Sequence, residues 1–80
     1  MAQLKGSIHS DSDVTLVTLS GELDASTQVD LRRLLTEALD RGDRSVRVLL
    51  DEVSFMDSST ITEMLLAARS ASTARVDFAI

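Results

Sequence analysis

The hydrophobic positions of this chain follow two alternating spacings, one typical of strands and one typical of helices. Short β-rich runs cover residues 4–8 and 14–19, and the polar segment 9–13 between them holds residues that favour turns. This arrangement predicts an opening β-hairpin. The second run is apolar on both faces, which is typical of a strand buried inside an α/β sheet.

From Asp24 onward the spacing changes to one helix face, and Gly42 is placed to end that helix. The face consists of Leu31, Leu34, Leu35, Ala38 and Leu39. A third strand follows at Val46, Val48, Leu49 and Leu50, a second helix carries Ile61, Met64, Leu65 and Ala68, and a fourth strand carries Val76, Phe78 and Ile80. The predicted order is ββαβαβ. Helices between strands imply parallel pairing, so we expect an α/β fold with a mixed, mostly parallel four-stranded sheet.

The third strand is expected to end near Asp51, where the chain becomes polar, and the second helix to begin near Asp57. Residues 52–56 would then form a connecting loop with apolar anchors. Thr60 and Glu63 have the spacing of a capping box.

Composition narrows the classes of function. Eighty residues fit one small domain, and the absence of cysteine removes disulfides and thiolate metal sites. The net charge of −5 and the two aromatic residues, both Phe, argue against nucleic-acid binding. No stretch is long enough to span a bilayer, so the expected location is the cytoplasm, away from the membrane. A partner with a basic rim would complement this surface.

The most unusual local feature is the run of hydroxyl side chains after Asp57, namely Ser58, Ser59 and Thr60. Asp57 or Ser58 capping the helix is one interpretation. The other interpretation is a regulatory switch at Ser58, since ligands and partners of open α/β sheets bind where strands end. A phosphate on Ser58 would gain ~0.3–1 kcal/mol from the helix dipole. At ~7 Å each neighbouring charge would repel a unit charge by about 2.4 kcal/mol before salt screening, so the two effects roughly cancel within the domain. A docked partner would have to bury the charged phosphate, which costs several kcal/mol of desolvation, so phosphorylation should release the partner.

Candidates for catalysis are weak. His9 stands alone in a predicted turn, and no serine lies in a glycine elbow. Asp51, Glu52 and Asp57 could form a magnesium site like that of a receiver domain or a metal-dependent phosphatase, but the first strand lacks the acidic pair which that chemistry needs. We therefore expect no enzyme activity, no metal and no cofactor.

The segment from Gly21 to Asp24 follows the second strand, with Asp24 placed as the N-cap of the first helix. Because parallel strands end at the same edge of a sheet, this segment and Ser58 should lie close together.

These two segments, Gly21-Glu22-Leu23-Asp24 and Val53-Ser54-Phe55-Met56-Asp57-Ser58-Ser59, resemble the STAS family of bacterial anti-sigma-factor antagonists. The resemblance implies a regulator that binds an anti-sigma factor with serine kinase activity, is phosphorylated on Ser58, and is reset by a serine phosphatase. It also implies a docking surface at Asp24, Asp57, Ser59 and Thr60.

Two differences from the family pattern lead to further expectations. Thr60 stands where the family usually has glycine, which should add bulk to the docking surface. The family domain continues with further helices and a last strand, so residues 1–80 are expected to form one C-terminally truncated STAS domain. The alternative function is a scaffold or sensory module that is not phosphorylated and forms homo-oligomers.

Overall fold

The computed structural model describes residues 3–80 and confirms the order ββαβαβ. A short 3-10 turn, Ala25–Thr27, precedes the first helix. The elements are β1 (Leu4–Asp11), β2 (Val14–Leu23), α1 (Gln28–Asp40), β3 (Ser45–Met56), α2 (Ser58–Ala74) and β4 (Asp77–Ala79).

The strands form one sheet in the order β1-β2-β3-β4. As predicted, β1 and β2 form an antiparallel hairpin, while β2 with β3 and β3 with β4 are parallel. The hairpin turn is shorter than expected. It consists of Ser12 and Asp13, both with positive φ, as a two-residue turn of the favoured mirror-image type requires. Residues 9–11 belong to β1, so their prediction as part of the turn was wrong.

Both helices pack on one face of the sheet. The core joins β2 and β3 to both helices, and its buried hydrophobic members are Val17, Leu19, Leu23, Leu31, Leu35, Ala38, Val46, Val48, Met64 and Ala67. The predicted face of α1 is confirmed, because all its members are buried or half-buried. The other face of the sheet is open: Leu16 is half-buried and Thr18 is exposed, so β2 is covered on one face only.

The buried face of α2 differs from the predicted one. It consists of Thr60, Glu63, Met64, Ala67 and Ala71, whereas Ile61 and Leu65 point to solvent. Two polar residues, Thr60 and Glu63, thus lie on the buried face, on which the hydrophobic pattern had placed Ile61 and Leu65.

The structure also corrects the end of β3. Residues 52–56 are not a loop, because β3 continues to Met56 alongside β2. The pairing register shifts twice, between Thr18 and Ser20 and between Gly21 and Glu22. Each shift leaves one extra residue in β3, as in a β-bulge. The polar residues Asp51, Glu52 and Ser54 are therefore accommodated within a strand.

Candidate functional site

The ends of β2 and β3 bring the two sequence motifs together. The backbone N–H of Asp57 donates a hydrogen bond of 3.1 Å to the carbonyl oxygen of Leu23, the last residue of β2. Asp24 follows Leu23 directly, so the expected proximity of the Asp24 segment and Ser58 is confirmed. We call residues 24–27 the Asp24 turn and residues 57–60 the Ser58 turn.

Asp24 organises its own turn through one carboxylate oxygen. This Oδ1 accepts hydrogen bonds from the Ser26 hydroxyl at 2.6 Å, the Ser26 N–H at 2.9 Å and the Thr27 N–H at 3.2 Å. The Thr27 hydroxyl accepts from the Asp24 N–H in return, which completes a capping box. The Ser26 hydroxyl is the main cause that holds the pKa of Asp24 below its usual range. Asp24 is an N-cap as predicted, but of the 3-10 turn that leads into α1.

Asp57 is the N-cap of α2 and uses the same geometry. Its Oδ1 accepts from the Ser59 N–H at 2.9 Å and from the Ser59 hydroxyl at 2.6 Å. In both turns the aspartate holds the serine two residues further on. The two caps therefore present two helical N-termini at the same end of the sheet.

The three hydroxyls of the Ser58 turn have different environments. Ser58 is exposed, and its side chain has no hydrogen-bond partner among residues 3–80. Ser59 is half-buried, and its hydroxyl donates a hydrogen bond to Asp57. Thr60 is 2% exposed, and its hydroxyl donates to the Leu23 carbonyl oxygen at 3.0 Å. Ser58 is thus the hydroxyl that a partner can reach.

The position of Thr60 corrects two expectations. Its side chain points into the protein and adds no bulk to the surface, so it cannot contact a docked partner directly. Its hydroxyl bonds the Leu23 carbonyl, and the Glu63 carboxylate is engaged by α1, so the two residues do not form a capping box.

Glu63, Arg32 and Gln28 form a polar link between the helices that the hydrophobic pattern did not predict. Arg32 donates to both carboxylate oxygens of Glu63, from Nε at 3.0 Å and from Nη2 at 2.8 Å, and Gln28 donates from Nε2 at 2.8 Å. The Glu63 side chain is 2% exposed. The Arg32 guanidinium lowers the pKa of Glu63, although burial acts in the opposite direction. The sequence signal for this link was the position of Glu63, three residues after Thr60 and four before Ala67, which places it on the same face of α2.

Arg32→Met should lower the free energy of unfolding by about 1–2 kcal/mol at neutral pH, because the buried Glu63 carboxylate loses its cation. In the parent the pKa of Glu63 is lowered on folding, so its stabilising effect is present above the unfolded pKa and is lost as pH falls. In the variant burial would raise that pKa. Denaturant titrations should therefore show a smaller difference between the two proteins below about pH 4.

Arg33→Met is the matched control for this prediction, because the Arg33 partner, Asp30, is exposed and lies 3.4 Å away. This control should change stability by less than about 0.5 kcal/mol. Equal losses for both variants would contradict the assignment of a stabilising role to the Arg32 contact.

The surface beside the Ser58 turn is apolar and acidic. Phe55 and Met56 are 51% and 45% exposed, and Phe55 lies opposite Glu22 in the sheet. Glu52 is exposed on the same strand.

Among the described residues, no group of three His, Cys, Asp or Glu side chains is placed to hold a metal ion. No helix within residues 3–80 is long and apolar enough to cross a bilayer.

Comparisons with known proteins bear on the family and the fold of this chain. The family model described as "Mlab, STAS domain" matches residues 7–80. An anti-sigma factor antagonist from Mycobacterium paratuberculosis superposes with a TM-score of 0.87 at 17% identity, over 95% of this chain and 64% of that one. The anti-sigma factor antagonist SpoIIAA in its unphosphorylated form gives 0.75 at 22% identity, over 95% and 67%. The Bacillus cell fate determinant SpoIIAA in its phosphorylated form gives 0.68 at 23%, over 100% and 69%.

The match of the family model over residues 7–80 identifies this fold as a STAS domain. The chain therefore belongs to the STAS domain family, within the group whose model is described as Mlab. It spans about two thirds of the length of the three structures described above. At identities of 17–23%, these superpositions establish a shared fold and no more.

Proposed function

We propose that this STAS domain is an anti-sigma-factor antagonist that binds an anti-sigma factor with serine kinase activity in the cytoplasm. Phosphorylation of Ser58 would end that binding. The observation that carries the proposal is the difference among the three hydroxyls. Ser58 is exposed and has no hydrogen-bond partner within residues 3–80, the Ser59 hydroxyl donates to Asp57, and Thr60 is buried. A kinase that docks on this turn would meet one available hydroxyl. The structural likeness to SpoIIAA, described in unphosphorylated and phosphorylated forms, supports the same assignment.

The docking surface in this proposal combines Ser58 with Asp57, Ser59 and the Asp24 turn. Asp57 and Ser59 fix the backbone of the Ser58 turn, and Asp24 supplies a carboxylate on the neighbouring turn. The protein carries a net charge of −5, so a partner with basic residues would be attracted to it. The antagonist is the substrate, and ATP binds to the kinase. A serine phosphatase would restore the binding form.

The direct test is incubation with the cognate anti-sigma kinase and ATP, followed by location of the phosphate by mass spectrometry. We expect one phosphate, on Ser58, and none in Ser58→Ala. Ser70→Ala is the matched control, because it removes an exposed hydroxyl further along the same helix and should leave the phosphate on Ser58. Phosphate on another residue, or no phosphate on the parent, would count against the proposal.

Self-association is a second candidate function, favoured by the exposed apolar residues of α2. Ile61 and Leu65 lie one helical turn apart and are 59% and 62% exposed. A STAS scaffold could bury them in a homo-oligomer. Light scattering would distinguish the two functions: a stable oligomer that is unaffected by kinase and ATP supports the scaffold, and a monomer supports the antagonist.

A further inference from the structure

We infer that Thr60 is a positioning residue that fixes the Ser58 turn onto the Asp24 turn, an assignment that rests on the proposed function of Ser58. It does so by donating its hydroxyl to the Leu23 carbonyl oxygen. The docking surface is thereby held as one unit, although it is built from two separate segments of the chain.

The Leu23 carbonyl oxygen receives two hydrogen bonds from the Ser58 turn. The Asp57 N–H donates at 3.1 Å and the Thr60 hydroxyl at 3.0 Å. A carbonyl oxygen has two lone pairs, so these two donors use its full capacity. Ser58 lies between the two donors in sequence. Its backbone is therefore attached on both sides to one atom of β2.

The same carbonyl group belongs to the residue directly before Asp24. Leu23 has no exposed surface and is held in the core, so its carbonyl is a rigid reference point. The Asp24 turn begins at this point with its own capping box. A change in the position of the Ser58 turn relative to Leu23 is thus a change relative to the Asp24 turn as well.

Thr60 supplies the second of these donors from its side chain, which a glycine at this position could not do. Glycine at this position has no hydroxyl, and only the Asp57 N–H of these two donors would remain on the Leu23 carbonyl. The Thr60 side chain is 2% exposed, and its hydroxyl has no other acceptor among residues 3–80. Compared with glycine, threonine therefore restricts the backbone at this position, and its hydroxyl holds the Ser58 turn to the Leu23 carbonyl oxygen.

Thr60→Val tests this role, because valine keeps the shape of threonine and lacks the hydroxyl. Hydrogen exchange of backbone amides is the first measurement and needs no partner. We expect the amides of Asp57, Ser26 and Thr27 to exchange about five to ten times faster, relative to amides in the middle of β2. Thr60→Ser, which keeps the hydroxyl, should restore most of the protection.

The matched control is Thr73→Val, since the Thr73 hydroxyl bonds the Arg69 carbonyl in the same helix, far from the site. It should leave exchange at both turns unchanged. A uniform increase at all amides in Thr60→Val would mean a loss of global stability, and unchanged exchange at Ser26 and Thr27 would mean that the turns are not coupled. Either result would overturn the assignment.

Kinetics of Ser58 phosphorylation give the second measurement. We expect Thr60→Val to raise KM about fivefold with little change in kcat, because the turn is presented less often in its docking position. Thr60→Ser should behave like the parent. A parent that is not phosphorylated would refute the proposed function, and hydrogen exchange would still decide the coupling. A phosphorylated parent with an unchanged KM in Thr60→Val would refute the role of Thr60 alone.

Discussion

Gly21→Ala is expected to lower the free energy of unfolding by about 3 kcal/mol, since strain at an unfavourable φ and a clash in a packed region each cost 1–3 kcal/mol. Gly21 has a φ of +95°, which residues with a side chain rarely adopt. A Cβ at this position would also collide with the carbonyl oxygen of Gln3. That atom is backbone, so no side-chain rotation can relieve the contact.

The position of Gly21 connects this loss of stability to the site. The Gln3 carbonyl accepts a hydrogen bond of 2.7 Å from the Glu22 N–H, and the Gly21 carbonyl accepts one of 3.1 Å from the Ser54 hydroxyl. These bonds fix the end of β2 between its two neighbouring strands. Displacing Gln3 would weaken them, and Asp24 follows only three residues after Gly21.

Gly42→Ala separates the two causes of the predicted loss. Gly42 has a φ of +80°, and a Cβ there would meet no atom within 4 Å. Alanine at this position should cost about 1 kcal/mol, from backbone strain alone. Chemical denaturation of both variants would measure the difference. Equal losses would contradict the steric part of the argument for Gly21.

The elements that followed from the sequence are those whose hydrophobic residues face the core. The repeating leucines of α1 predicted its buried face, and the order of strands and helices predicted the mixed sheet. The proximity of Asp24 and Ser58 also followed, because parallel strands end at the same edge of a sheet. For the helix face and the sheet one physical term, burial of apolar surface, decides the outcome, and the proximity then follows from the topology.

The sequence pattern was misleading where polar residues are buried with specific partners. Thr60 and Glu63 occupy the inner face of α2 because the Leu23 carbonyl, Arg32 and Gln28 satisfy their polar atoms. Such partners lie 31–37 residues away in the chain. Periodicity within one helix carries no information about them, so Ile61 and Leu65 were wrongly assigned to the core.

The extension of β3 to Met56 was missed for a related reason. Strand prediction relies on regular alternation, and the two register shifts opposite β2 interrupt that alternation. The extra residues made the segment resemble a loop. Their effect on the site is large, since the continued pairing places Met56 beside Leu23 and delivers Asp57 to the Leu23 carbonyl.

Ser58→Asp is expected to reduce the affinity for the kinase-type partner roughly 10- to 100-fold, which corresponds to about 1.4–2.8 kcal/mol. The added carboxylate would be exposed in the free protein and would lose its water when a partner covers the turn. Binding of the parent, Ser58→Asp and Ser58→Ala can be compared by calorimetry. Ser58→Ala should bind like the parent, because the free Ser58 hydroxyl supports no other residue of the described structure.

Folding should be almost unaffected by the same substitution. Residue 58 is the first residue of α2, where the helix dipole favours a negative charge by ~0.3–1 kcal/mol. Repulsion from the Asp57 carboxylate, screened by solvent, acts against this gain. We therefore expect the free energy of unfolding to change by less than about 0.5 kcal/mol. A large loss of stability would mean that weaker binding reflects unfolding.

Two control variants separate charge from size and from position. Ser58→Asn adds a side chain of the shape of aspartate without its charge, and it should retain most of the affinity. Ser70→Asp adds the same charge to an exposed position of α2 about 18 Å further along the helix, beyond the Debye length at physiological salt. Since neither control places a charge under the partner, neither should release it. If Ser58→Asn weakened binding as much as Ser58→Asp, steric exclusion would explain the switch and the electrostatic argument would be wrong.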